Sequence, residues 1–252
     1  MSVEVLILGG TTEGYALAAA LADRSGFTPV SSLAGRTASP RRPAGEVRIG
    51  GFGGPEGLEA WLRARPTVAA VIDATHPFAS RMGWNAAAAC AACGLPLLRL
   101  ERPAWQTVPG DHWDEVEDWE QAAALVAARS RRVLLALGRQ ELEPFARLDD
   151  VWFLIRSVDR PEPMPPFAQA EILLARGPFG LEDERTLLSS HRIDTIVCKN
   201  SGGTATESKL AAARALGVRV VMRRRPRRPD LPTVGTVAEA MAWLEATIPA
   251  EG

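Results

Sequence analysis

Cysteine is scarce in this chain: three residues in 252, too few for a secreted disulfide framework. Two of them, Cys90 and Cys93, form a C-A-A-C pair inside the run NAAAACAACG, which reads as a buried helix rather than a redox motif. No second cysteine pair accompanies it, so no metal is expected. Tyrosine is rarer still, with Tyr15 alone, and four residues on stands Ala19, so the Tyr-x-x-x-Lys pair of short-chain carbonyl reductases is missing. No apolar run approaches the ~18 residues of a membrane span. No N-terminal stretch has a signal-peptide layout, and a soluble, cytoplasmic monomer is expected. Nor is there an excess of one charge: 29 basic residues against 30 acidic ones leave a net −1, which argues against nucleic acid or a membrane as partner.

What is present is enough apolar side chain, 46% of residues, to bury a full core. Arginine supplies nearly all the positive charge, which suits carboxylates and phosphates, although a GC-rich genome gives the same bias. Branched apolar runs at residues 3–8, 28–33, 47–49, 68–72 and 97–100 alternate with helical spacing at 13–24, 58–64 and 79–93. After a polar, Trp-rich connection the pattern resumes. Helices are predicted at 119–129, 181–190, 204–216 and 238–245, and strands at 133–137, 152–155, 172–174, 195–198 and 219–222. Such alternation predicts an α/β protein of two Rossmann-like domains with mainly parallel sheets, spanning 1–105 and 106–252, with the active site in the cleft between them. The proline-dense stretch 160–166 is predicted to be a loop.

The first strand ends in G-G-T-T-E-G. A helix N-terminus has unpaired N–H groups and a partial positive charge, and glycine lets the backbone approach a pyrophosphate. Gly9 and Gly14 fit the outer positions of the dinucleotide fingerprint, but Thr11 stands where the middle glycine belongs, so the motif alone is equally a tight α/β turn. Gly9, Gly10, Thr11, Thr12, Glu13 and Gly14 are the first candidate cofactor contacts. After the second strand, where an NAD site carries an acidic residue, the chain reads S-S-L-A-G-R-T. Ser32, Arg36 and Thr37 join the set, with Arg36 placed to meet a 2′-phosphate and so to favour NADPH. The third clear strand ends in D-A-T-H-P-F-A, which adds Asp73, Thr75 and His76 at the carboxyl edge of the sheet.

In the second half, C-K-N-S-G-G-T-A-T-E echoes the first turn, with small residues between a strand and a helix. Lys199, Asn200, Ser201, Gly202, Gly203 and Thr204 are candidates for binding an anionic substrate. Arg139 in A-L-G-R-Q-E-L and Arg176 in A-R-G-P-F-G, each next to a glycine after a strand, join them. The basic run M-R-R-R-P-R-R at 222–228 lacks interleaved aromatics and reads as a solvated loop.

Taken in order, LILGGTTEG, DATHPFA, RLERPAW, ALGRQEL, LARGPFGLEDE and CKNSGGTATESKLAAA resemble the precorrin-6A reductase family of cobalamin biosynthesis, over nearly the whole chain. The resemblance implies an NADPH-dependent oxidoreductase acting on a CH–CH group, which reduces one double bond of a carboxylate-rich tetrapyrrole to give precorrin-6B. Hydride would come from the cofactor, and orientation and electrostatics from the protein. His76 and Lys199 are then the candidate proton donors, with water a third. A different NADP-dependent reductase, or a non-catalytic NADPH-binding protein, is the alternative reading.

Overall fold

The computed structural model describes residues 2–35 and 42–248. In chain order the elements are β1 (Val3–Leu8), α1 (Thr12–Ala22), β2 (Phe27–Leu33), β3 (Glu46–Ile49), α2 (Pro55–Arg63), β4 (Val68–Asp73), α3 (Ser80–Cys93) and β5 (Leu97–Leu100). They continue with β6 (Trp113–Val116), α4 (Trp119–Arg129), β7 (Arg132–Ala136), β8 (Trp152–Ser157), β9 (Ala170–Leu174), α5 (Leu181–Ser190), β10 (Thr195–Lys199), α6 (Ser208–Leu216) and β11 (Arg219–Arg223). The chain closes with β12 (Thr233–Val234) and α7 (Val237–Thr247). Among the described residues no helix is long and apolar enough to cross a membrane.

Two compact units result. The first takes the chain up to Pro103 and again from Pro226; the second is Ala104–Arg225. This corrects the division at residue 105, which gave the whole C-terminal part to the second unit. The reason lies in two local signals too small to read. β12 is only two residues long, yet it pairs in parallel with β5 through Thr233 and Arg99. Arg99 N–H also donates to Pro232 O at 2.9 Å, and Glu101 N–H to Val234 O at 2.9 Å. α7 then packs Ala240 and Leu244 into the same cluster as Leu17 and Leu21 of α1. Its start is fixed by a reciprocal cap between Thr236 and Glu239.

The first sheet runs β12-β5-β4-β1-β2-β3, all pairs parallel. Counting β12 as the sixth strand, this is the Rossmann order 3-2-1-4-5-6 read from the other edge. β1 is apolar on both faces because helices cover both: Val5 and Ile7 face the cluster of α1 and α7, while Leu6 and Leu8 face that of α2 and α3. The second sheet runs β6-β11-β10-β7-β8-β9, again all parallel. α4 covers one face through Trp119, Ala122 and Val126, and α5 and α6 cover the other through Leu188, Leu210 and Ala213.

Two further differences have plain causes. β6 is hidden in the polar segment W-D-E-V because it is an edge strand; Asp114 and Glu115 pair with Arg219 at 3.4 Å and Arg224 at 3.0 Å rather than entering the core. The helix expected from residue 204 begins at Ser208, with Glu207 at its cap position, so residues 200–207 form an eight-residue loop.

Candidate active site

The strand order of the first sheet reverses between β1 and β4, and open α/β sheets bind ligands at that point, beyond the carboxyl ends of the strands. Both first-half motifs lie there. Gly10 leaves β1 with φ +112°, a left-handed conformation that glycine adopts without strain. A Cβ built on it would meet nothing within 4 Å, so the space above the turn is open. Thr11 is the N-cap of α1: its hydroxyl oxygen accepts from Gly14 N–H at 3.2 Å and its O–H donates to Ala74 O at 2.8 Å. The threonine that spoils the glycine pattern therefore ties the turn to the end of β4. Thr12 and Glu13, in the first turn of α1, have N–H groups with no acceptor within the helix. Gly14 packs against Ala74 and Gly9.

Other candidates in this unit are engaged with protein. The Glu13 carboxylate accepts from Arg102 at 2.8 Å. Asp73 is fully buried: Oδ1 accepts from Thr75 N–H and O–H, at 3.2 and 2.6 Å, and Oδ2 accepts from Arg228 at 2.5 Å. Arg228 also donates to Thr75 at 3.1 Å and to Glu101 at 2.8 Å. Asp73 and Thr75 are thus members of a buried network with Arg228. The Arg228 side chain is 5% exposed, which corrects the solvated reading of the basic run at that residue, while Arg224 and Arg227 are exposed. His76 stands at the rim, where its Nδ1 accepts from Phe78 N–H at 3.2 Å. Ser32, at the end of β2, accepts from Arg48 at 3.1 Å. Arg36 and Thr37 lie outside the described residues.

In the second sheet the order reverses between β7 and β10, where A-L-G-R-Q-E-L and C-K-N-S-G-G-T end up side by side. Lys199 donates to Glu141 at 2.5 Å, from the short helical turn Arg139–Glu141. Asn200 is 6% exposed, and both ends of its amide are used: Oδ1 accepts from Trp105 N–H at 2.8 Å and Nδ2 donates to Trp105 O at 3.0 Å. Asn200 is therefore a clamp on Trp105. The Trp105 indole N–H donates to Gly203 O at 2.9 Å, and Lys209, itself 4% exposed, places its ammonium 4.4 Å from the ring centroid. Ser201 gives its carbonyl to Arg225 at 3.3 Å; Gly202 and Gly203 carry the loop on to Thr204, which is exposed. Arg139 and Arg176 are exposed, after β7 and β9.

An open cavity of about 280 Å³ lies in this unit, with Trp105, Gln106, Asn200, Glu115, Arg224 and Arg225 in its lining. Trp105, Glu141 and Arg48 went unnoticed in the sequence. For Trp105 and Glu141 a signal existed, since both sit inside the motifs RLERPAW and ALGRQEL. Cys90 is buried in α3, and burial pushes its thiol up to about 12, with Cys93 and Asp73 adding to the effect. Among the described residues no group of His, Cys and carboxylates is arranged to hold a metal.

Two parallel, helix-covered sheets, with a glycine turn and a polar strand end at the switch point of the first, define a protein of the Rossmann-like class. The model of the family described as "Precorrin-6x reductase CbiJ/CobK" matches residues 4–245, and the chain belongs to that family of oxidoreductases. A precorrin-6A reductase of Rhodococcus erythropolis is 53% identical over 242 residues, covering 95% of this chain and 96% of the relative. One from Sinorhizobium sp is 47% identical over 237 residues, covering 94% and 90%. A solved structure titled "CobK precorrin-6A reductase" superposes with a TM-score of 0.91 at 43% identity, covering 98% of this chain and 97% of that one.

Proposed function

We propose that the chain reduces one double bond of the precorrin-6A macrocycle with NADPH, giving precorrin-6B in cobalamin biosynthesis. The reaction follows from family membership over nearly the whole chain. The observation that supports the cofactor is the Gly9–Gly14 turn at the switch point. Its open space over Gly10 and its first-turn N–H groups fit a pyrophosphate. The Thr11 hydroxyl holds the turn, donating to Ala74 O and accepting from Gly14 N–H. When bound, the dinucleotide supplies the hydride.

The residues of this chain do the rest. Thr12 and Glu13 N–H groups receive phosphate oxygens. Arg139 and Arg176, exposed beyond the second sheet, take carboxylates of the macrocycle. Lys199, held against Glu141, and His76, whose Nδ1 accepts from an amide, are the candidate proton donors. Incubating the protein with NADPH and precorrin-6A is expected to change the macrocycle spectrum, with one NADPH consumed per macrocycle. Tight NADPH binding with no spectral change rules the reductase reading out.

A further inference from the structure

Arg48 lies on β3, the outermost strand of the first sheet, in register with Ser32 at the end of β2. In a Rossmann unit the end of the second strand is where the adenosine ribose is read: an acidic side chain there takes the 2′-hydroxyl, and an arginine nearby accommodates a 2′-phosphate. The described residues at this strand end, Ser31 to Gly35, include no acid. Glu46, two residues back on β3, is already occupied by Arg65, whose two terminal nitrogens donate to it at 2.6 and 2.8 Å.

We propose that Arg48 receives the 2′-phosphate of the dinucleotide and so sets the preference for NADPH over NADH; this rests on the cofactor reading above. Its guanidinium donates to Ser32 Oγ at 3.1 Å, Gly50 O at 2.7 Å and Gly51 O at 2.9 Å. Those are three of the five N–H groups an arginine carries, so two remain. All three acceptors are neutral. Arg102 and Arg228 at the same sheet edge instead meet carboxylates. Among the described residues this partly buried cation is held by neutral oxygens alone, an arrangement that suits an incoming anion, and burial pushes its pKa below the usual arginine range.

The site is also built rather than incidental. The Phe52 ring lies 3.7 Å from the guanidinium carbon and fixes its plane. Phe52 is held there because its loop folds back onto α2, where its carbonyl oxygen would sit 1.8 Å from any Cβ at residue 57; only glycine, here Gly57, permits the approach. Ser32 Oγ accepts from Arg48 and keeps its own O–H to donate to an oxygen of the phosphate.

The test measures binding of NADPH, NADH, adenosine 2′,5′-bisphosphate and AMP to the full chain and to Arg48→Gln, Arg48→Lys and Arg36→Ala variants, by titration calorimetry. Loss of a charge-assisted contact of ~1.5–3 kcal/mol predicts that Arg48→Gln weakens NADPH and the bisphosphate about 10–100-fold, with NADH and AMP within about twofold. Arg48→Lys should recover part of the loss. Equal weakening of phosphorylated and unphosphorylated ligands would show that Arg48 only holds the Gly50–Gly51 loop, and overturns the proposal. So does selectivity that disappears in Arg36→Ala but persists in Arg48→Gln. A wild-type protein that binds NADH as well as NADPH sinks the cofactor reading itself, which separates the two failures.

Discussion

Replacing Arg228 by methionine tests whether the D-A-T motif is structural. The Arg228 side chain is 5% exposed, Asp73 is 0% exposed and Glu101 is 13% exposed, so one cation neutralises two carboxylates away from water. Methionine fills a similar volume but takes the cation away from the fully buried Asp73 Oδ2 and removes the Arg228 bond to Glu101. Asp73 keeps its two bonds from Thr75, which stabilise only Oδ1. Breaking one partner out of a buried ion pair costs about 3–5 kcal/mol. Against a total of about 5–15 kcal/mol the first unit stays folded but opens far more often. Hydrogen exchange followed by mass spectrometry reads this locally. Amides of β4, β5 and α7 should exchange about 10²–10³-fold faster at neutral pH. Those of β7 and β10, in the other unit, should be unchanged and serve as the internal control. Adding Asp73→Asn to Arg228→Met removes one orphaned charge and should recover about 1 kcal/mol or more. A loss below about 1 kcal/mol, an even loss across both units, or no recovery in the double variant would refute the buried-network reasoning.

Four further outcomes are expected. Asn200→Ala removes both amide bonds to Trp105 and should destabilise the second unit by about 1–3 kcal/mol, while NADPH binding stays unchanged, read by urea melts and by titration. Cys90, with its thiol raised to about 12 by burial, should resist iodoacetamide at pH 8 while the less buried Cys93 is alkylated, as peptide mass mapping shows. The same shift has a sign: the folded state holds the Cys90 proton more tightly than the unfolded chain. Its contribution is therefore complete below the ordinary value of 9.0 and lost as pH rises towards about 12, so Cys90→Ala should flatten any fall in stability across that window. Gly57→Ala drives a Cβ into the Phe52 carbonyl and should displace the loop from Arg48, quenching or shifting the coupling of Phe52 to Trp61, visible as a changed near-ultraviolet dichroism.

Most of the framework was legible because parallel strands buried on both faces are uninterrupted apolar runs, as in Val5–Leu8 and Val68–Ile72. What escaped notice was either short or polar. β12 carries two residues and takes its place from Arg99 and Glu101 across the sheet, which no local pattern encodes. β6 looked like a connection because an edge strand has no need of an apolar second face. At the site, motif residues were located correctly at the strand ends, but their partners were invisible. Asp73 and Arg228 are 155 positions apart, and Asn200 and Trp105 are 95 apart. A side chain that looks available in a linear motif is, in three dimensions, already bonded.

The discontinuity of the first unit bears on the order in which the protein can be made. When Arg225 has just been added to the growing chain, β1 to β5 have been made, yet the strand that pairs with β5 and the helix that covers Leu17 and Leu21 are still untranslated. Arg228, which neutralises Asp73 and Glu101, is missing too. The second unit, by contrast, is one uninterrupted segment and holds every strand of its sheet at that moment. Completion of the first unit's sheet therefore waits on residues made after the whole of the second unit, the reverse of the usual order in which the N-terminal domain folds first during synthesis.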